Sequence, residues 1–248
     1  MADETSTAPG GPPGGRPREA GAPPELRSRL AVALDVDDLV PALRLARDLS
    51  PWFGTVKVGL ELYCSAGPDA IATLVDLGAD VLCDLKLHDI PTTVHRAARV
   101  VGALGARYLT VHTAGGAAMV RAAVEGLREG TARAGGQERG VLGVTVLTSD
   151  PVATPHVLHQ RVAAGLDGGC AGFVCAAGDI ATVRQLAPRA LLVTPGIRPE
   201  GAAADDQRRV ATPREALDAG AGMLVVGRPV TRAPDPVAAA RSLAASLA

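Results

Sequence analysis

From Leu26 onward the chain alternates between two hydrophobic rhythms. Short runs of Val, Leu, Ile and Ala are each followed by a polar or glycine-containing turn, then by a segment with apolar residues at helical spacing. The short runs predict strands over Leu30–Val36, Thr55–Gly59, Val81–Lys86, Tyr108–His112, Val141–Val146, Gly172–Cys175, Leu191–Thr194 and Met223–Val226. Their near-continuous apolar character fits strands covered on both faces. Helices are expected over Leu39–Leu49, Asp69–Leu77, Thr93–Leu104, Ala117–Glu129, Val157–Ala164, Ile180–Leu186, Pro213–Ala219 and Pro236–Leu247. Asp69 and Asp179 mark helix starts, and Pro213 and Pro236 sit where a first helical residue needs no N–H. Gly78, Gly105 and Gly220 stand where helices should end.

Eight strand-helix units in a row predict an α/β fold of the (β/α)8, or TIM-barrel, type. A doubly wound sheet is the competing arrangement, but no GxGxxG follows the first strand. Met1 to Pro24 is rich in Pro and Gly and has no apolar stretch of a secretory signal. Residues 1–25 are therefore expected to form a disordered tail, and residues 26–248 the barrel domain.

Composition narrows the picture further. Hydrophobic residues make up 47% of the chain and aromatics 2%, so the core must be built from branched aliphatics and Ala. A net charge of -1 offers no field to recruit nucleic acid or an anionic membrane, and there is no aromatic platform for stacking bases. No apolar run reaches membrane-spanning length. Cys64, Cys83, Cys170 and Cys175 show no CxxC spacing and read as reduced, buried side chains of a cytoplasmic protein. His156 and His159 lack the further ligands a metal site would need.

Polar and reactive residues recur at the C-terminal ends of the strands: Asp35, Lys57, Asp84 with Lys86, His112, Thr148 and Arg228. In a barrel that rim carries the active site. The run Asp84-Leu85-Lys86-Leu87-His88-Asp89 is the densest of these. Alternation along a strand points Asp84 and Lys86 to the same side. A structural ion pair closing the strand is the plain reading of this segment alone, but it leaves the rest of the rim unexplained. Asp84 and Asp89 stabilise the ammonium of Lys86, which makes it a proton donor rather than a Schiff-base nucleophile. Lys57 can reach Asp84 from the neighbouring strand, giving an alternating Lys-Asp array of fixed charges suited to a carbanionic reaction. A carboxylate at Asp84 also repels an anionic substrate group, a strain relieved when that group leaves as carbon dioxide. After the last two strands, Thr194-Pro195-Gly196-Ile197-Arg198 and Val226-Gly227-Arg228-Pro229 form a candidate phosphate site, with Arg228 as a planar fork.

Together these segments resemble the orotidine 5′-phosphate decarboxylase family. The resemblance rests on Ala33-Leu34-Asp35, Val56-Lys57-Val58-Gly59, Asp84 through Val94, Val146-Leu147-Thr148-Ser149, Pro195 through Arg198, Asp206-Gln207-Arg208-Arg209 and Gly227-Arg228-Pro229-Val230. It implies that Lys86 gives a proton to C6 of the pyrimidine, with Asp84 beside the departing carboxylate. It implies that Asp35 and Lys57 bind ribose hydroxyls, that Thr148 lines the pyrimidine pocket, and that Arg198, Gln207, Gly227 and Arg228 surround the phosphate. It further implies a homodimer in which Asp89 and Thr93 reach the neighbouring site, and a reaction without metal or organic cofactor. The Arg198–Arg209 stretch is the expected closing loop, and its small residues Gly201-Ala202-Ala203-Ala204 depart most from the family pattern.

Two other readings remain at this point. Magnesium-dependent hexulose-phosphate synthases and 3-keto-gulonate-phosphate decarboxylases share the scaffold, but they resemble one another in a metal-binding carboxylate on the second strand, where this chain has Lys57. A non-catalytic phosphate-ligand sensor would be expected to keep Arg228 and lose Lys86.

Overall fold

A computed structural model of the chain describes residues 21–136, 139–149, 154–198 and 211–247. Eight parallel strands pair in sequence order and close on themselves: β1 Leu30–Ala33, β2 Thr55–Val58, β3 Asp80–Leu87, β4 Tyr108–His112, β5 Gly140–Val144, β6 Gly172–Val174, β7 Leu191–Thr194 and β8 Met223–Val226. The helices are α1 Pro24–Arg27, α2 Leu39–Leu49, α3 Leu60–Ala66, α4 Asp69–Asp76, α5 Pro91–Ala103, α6 Gly116–Arg133, α7 Pro155–Gly168, α8 Ile180–Leu186, α9 Pro213–Asp218, α10 Arg228–Thr231 and α11 Pro236–Ala245. This is the expected (β/α)8 barrel.

Strand alternation divides the core into two parts. Ala31, Ala33, Leu82, Leu142, Val193, Met223 and Val225 fill the barrel interior. Their neighbours Leu30, Val32, Val81, Cys83, Leu109 and Leu192 point outward and pack under the helices. Both faces of each strand are buried, so the strands read as unbroken apolar runs.

The helix boundary signals act as expected. Asp38 accepts a hydrogen bond from the Val40 N–H and caps α2, and Asp235 does the same for α11 through the Ala238 N–H. Thr212 and Glu215 form a reciprocal capping box ahead of Pro213. Gly78, Gly105 and Gly220 adopt φ of 84°, 95° and 107°, the left-handed region that ends a helix without a Cβ clash.

The differences from the sequence expectation have local causes. Helix α1 begins at Pro24, inside the stretch assigned to the tail, and Ala22 already donates its N–H to the Pro51 carbonyl. Residues 1–20 lie outside the described residues. Helix α3 carries Cys64, which is exposed rather than buried, and Cys170 is only half-buried. Helix α6 runs to Arg133, beyond the expected end, and Gly126 and Gly130 within it let the backbone of α5 come close: a Cβ there would clash with the carbonyl oxygens of His95 and Arg99. Strand β3 is the longest and is irregular, which matters for the site.

Candidate active site

One cavity opens at the C-terminal mouth of the barrel and takes lining residues from every strand end. Asp35, Lys57, Asp84, Lys86, Thr110, Thr148, Arg198, Gly227 and Arg228 all line it, with Val144, Val146, Val174, Val193 and Val225 as its apolar wall. Among the described residues two carboxylates and four cations line this space, an excess of two positive charges suited to an anionic ligand.

The charges on the β1–β3 side hold one another. The Lys57 ammonium lies 2.8 Å from Asp35 Oδ1 and 3.6 Å from Asp84 Oδ2, and the Lys86 ammonium lies 2.8 Å from Asp84 Oδ1. The side chains of Lys57 and Asp84 are 12% and 13% exposed, against 30% for Lys86 and 48% for Asp35, so the array is most desolvated at its centre. Burial pushes the Asp84 carboxyl up. Lys57, then Lys86, outweigh it, and with hydrogen bonds from Lys86 and Thr110 the carboxyl is held below its ordinary value. Asp84 is therefore a fixed anion at neutral pH.

The backbone that carries Lys86 is unusual. Cys83 pairs with Leu109 and Leu87 with Val111, so Asp84, Leu85 and Lys86 stand opposite the single residue Thr110. This bulge adds two residues to β3, an even number, so inward and outward positions stay in phase and Asp84 and Lys86 both reach the cavity. Lys86 has φ 51°, the one positive φ outside glycine among the described residues. For an L-residue that conformation costs about 1–2 kcal/mol, and strain of this kind persists where surrounding contacts impose it.

Glycine at position 59 follows from the same crowding. Its backbone is extended (φ -92°, ψ -176°) and would accept any residue, but a Cβ there would lie 2.9 Å from the Lys57 ammonium and 3.0 Å from Asp35 Oδ1. The opposite side of the mouth carries the loops after β7 and β8. Arg198 is buried, and its backbone N–H donates to the Ala211 carbonyl. Gly227 precedes α10, whose first residue is Arg228.

Two expected site residues stand apart from the cavity. Asp89 is exposed and accepts from the Ile90 N–H, so among the described residues of one chain the carboxylate paired with Lys86 is Asp84, a correction to the expected Asp89 contact. Thr93 is exposed in the first turn of α5 and does not line the cavity. Gln207, and most of the expected closing loop, lie outside the described residues. His112 packs 5.7 Å from His88, ring to ring; burial, then His88 and Lys86, lower its pKa, leaving it neutral at pH 7. Sequence reading missed Thr110. Its signal was a hydroxyl at an inward position of β4, between Leu109 and Val111.

The model of the orotidine 5′-phosphate decarboxylase / HUMPS family matches residues 28–243. The chain belongs to that family. An orotidine 5′-phosphate decarboxylase of Anaeromyxobacter sp. (strain K) is 48% identical over 232 residues, covering 88% of this chain and 98% of the relative. One from Moorella thermoacetica is 44% identical over 237 residues, covering 89% and 92%. The crystal structure of the Lactobacillus acidophilus orotidine 5′-phosphate decarboxylase superposes with a TM-score of 0.74 at 34% identity, covering 86% of this chain and 96% of that one.

Proposed function

We propose that this chain is a carboxy-lyase that converts orotidine 5′-phosphate to UMP and carbon dioxide, the last step of de novo pyrimidine synthesis. The observation that carries the reading is the Lys86 ammonium, fixed 2.8 Å from the largely buried Asp84 carboxylate inside a cavity whose far side presents Arg198 and Arg228. The substrate is anionic at both ends, and the cavity's positive excess fits it. The arginines, Gly227 and Gln207 hold the phosphate; Asp35 and Lys57 take the ribose hydroxyls; Thr148 lines the pyrimidine pocket.

Phosphate binding places the C6 carboxylate beside Asp84, whose charge opposes it. The C6–carboxyl bond breaks, its electron pair stays on C6, and carbon dioxide departs. Lys86 gives its proton to C6 and regains one from water. The array Asp35–Lys57–Asp84–Lys86 is already oriented before substrate arrives, so the developing charge at C6 meets fixed charges with little reorganisation. No cofactor enters this sequence. Lys57 further disfavours the magnesium-dependent sister reaction, because its ammonium stands at the second-strand position where a metal-binding carboxylate would be needed and repels a divalent cation.

In the same reading the enzyme acts as a homodimer in the cytoplasm. Asp89 and Thr93, exposed beside the mouth and absent from their own cavity, complete the partner's site. The test is the loss of orotidine 5′-phosphate absorbance in excess EDTA, for the native chain and Lys86→Ala. Rapid EDTA-resistant formation of UMP that vanishes in the variant supports the assignment. No turnover, or turnover only with added magnesium, overturns it.

A further inference from the structure

Thr110 is fully buried at the middle of β4 and is the only β4 residue facing the bulge of β3. The bulge leaves the Lys86 backbone N–H without a ladder carbonyl, and that N–H donates instead to the Thr110 hydroxyl at 2.9 Å. The hydroxyl in turn donates to Asp84 Oδ1 at 3.0 Å, the same oxygen that accepts from the Lys86 ammonium at 2.8 Å. Its orientation is forced, since a backbone N–H can only donate and an ionised carboxylate can only accept. The three hydrogen bonds thus close a ring that starts at the main-chain nitrogen of Lys86 and returns to the ammonium of the same residue.

We infer that Thr110 is the positioning residue of the proton donor: its hydroxyl holds both the left-handed backbone of Lys86 and the carboxylate that aims the ammonium. The two bonds through the hydroxyl run head to tail, from N–H to O–H to carboxylate, and polarise one another; the ammonium donates to the same oxygen from the other side. The branched Cβ restricts the rotamer of the hydroxyl. Thr110 does not touch the proton being transferred; it acts through Lys86 and Asp84. This rests on the decarboxylase reading above.

The test compares Thr110→Val and Thr110→Ser for turnover of orotidine 5′-phosphate, affinity for UMP and melting temperature. Valine keeps the shape and removes both hydrogen bonds; serine keeps the hydroxyl. The expected result is a fall in kcat of about 10²-fold for Thr110→Val, the scale of an ångström of misplacement in a reacting group. UMP affinity should stay within about twofold and the serine variant within about fivefold of wild type, because neither the phosphate site nor the hydroxyl is lost. If the valine protein does not fold, Thr110→Ala, which leaves room for a water at the Lys86 N–H, carries the same measurement. A folded Thr110→Val or Thr110→Ala with wild-type kcat overturns the inference while leaving the decarboxylase reading intact. So does a serine variant as impaired as valine, or a loss of kcat matched by an equal loss of UMP affinity. A wild-type protein inactive on orotidine 5′-phosphate removes the reading itself, and the inference with it.

Discussion

The two sides of the barrel mouth solve different electrostatic problems. On the β1–β3 side the charges neutralise one another in a chain of contacts from 2.8 to 3.6 Å, and a strained, bulged strand holds the last of them. On the β7–β8 side both charged residues lining the cavity are arginines, and no carboxylate lines it there among the described residues. The first side has its partners built in and gains little from a ligand's charge except opposition at Asp84. The second presents two guanidinium groups to the cavity, and an incoming dianion can take charge-assisted hydrogen bonds from them. Chemistry and grip are thereby separated across one cavity, the arrangement expected when remote binding energy is applied at a reacting centre.

Mutations can break this division. The largest effect should come from Lys86→Ala, which removes the proton donor: kcat should fall by about 10³-fold or more, the upper range for a general acid, with UMP binding retained. Arg228→Ala should do the reverse. Losing charge-assisted phosphate bonds should weaken UMP binding by about 10²-fold, measured by titration calorimetry, and wild-type affinity would show that the β8 loop is not the phosphate grip. Gly59→Ala sharpens the comparison without removing any charge. The new methyl displaces the Lys57 ammonium from Asp35, and kcat/KM should drop about tenfold, the worth of one weakened charge-assisted bond.

The smallest effect concerns stability. The Asp84 carboxyl is lower in the folded protein than its ordinary value of about 3.9, so the unfolded chain takes up a proton first as pH falls. Its stabilising contribution is present at neutral pH and is lost as pH drops below the ordinary carboxylate range toward the lower folded value. Urea midpoints measured down that window should fall less steeply for Asp84→Asn than for wild type. Equal slopes would mean that Asp84 gains nothing from its lysines on folding.

Much of this was legible in the sequence, and the remainder was hidden for physical reasons. Strand alternation places Asp35, Lys57, Asp84, Lys86 and Arg228 at strand ends, and the barrel brings strand ends to one rim, so these residues converge as expected. The β3 bulge left no trace because an insertion of two residues preserves the polar-apolar alternation on which the reading depends. Nor could the left-handed φ of Lys86 be seen, since no glycine or asparagine marks it. Thr110 lacked a sequence neighbour to point at it; its partners lie 24 and 26 residues away along the chain. Helix α3 was missed because it is short and buries only Leu62. Asp89 was misjudged as a partner of Lys86 because nearness in sequence does not survive the turn into α5, where its carboxylate serves the Ile90 N–H.

The most direct test of the division is a single-turnover experiment with Lys86→Ala in excess over orotidine 5′-phosphate, at concentrations that saturate the site. The expected result is substrate bound with near-native affinity and no UMP formed on the wild-type timescale. UMP formed at the wild-type rate would show that Lys86 is not the proton donor, and failure to bind the substrate would show that the β3 side grips the ligand as well as reacting with it.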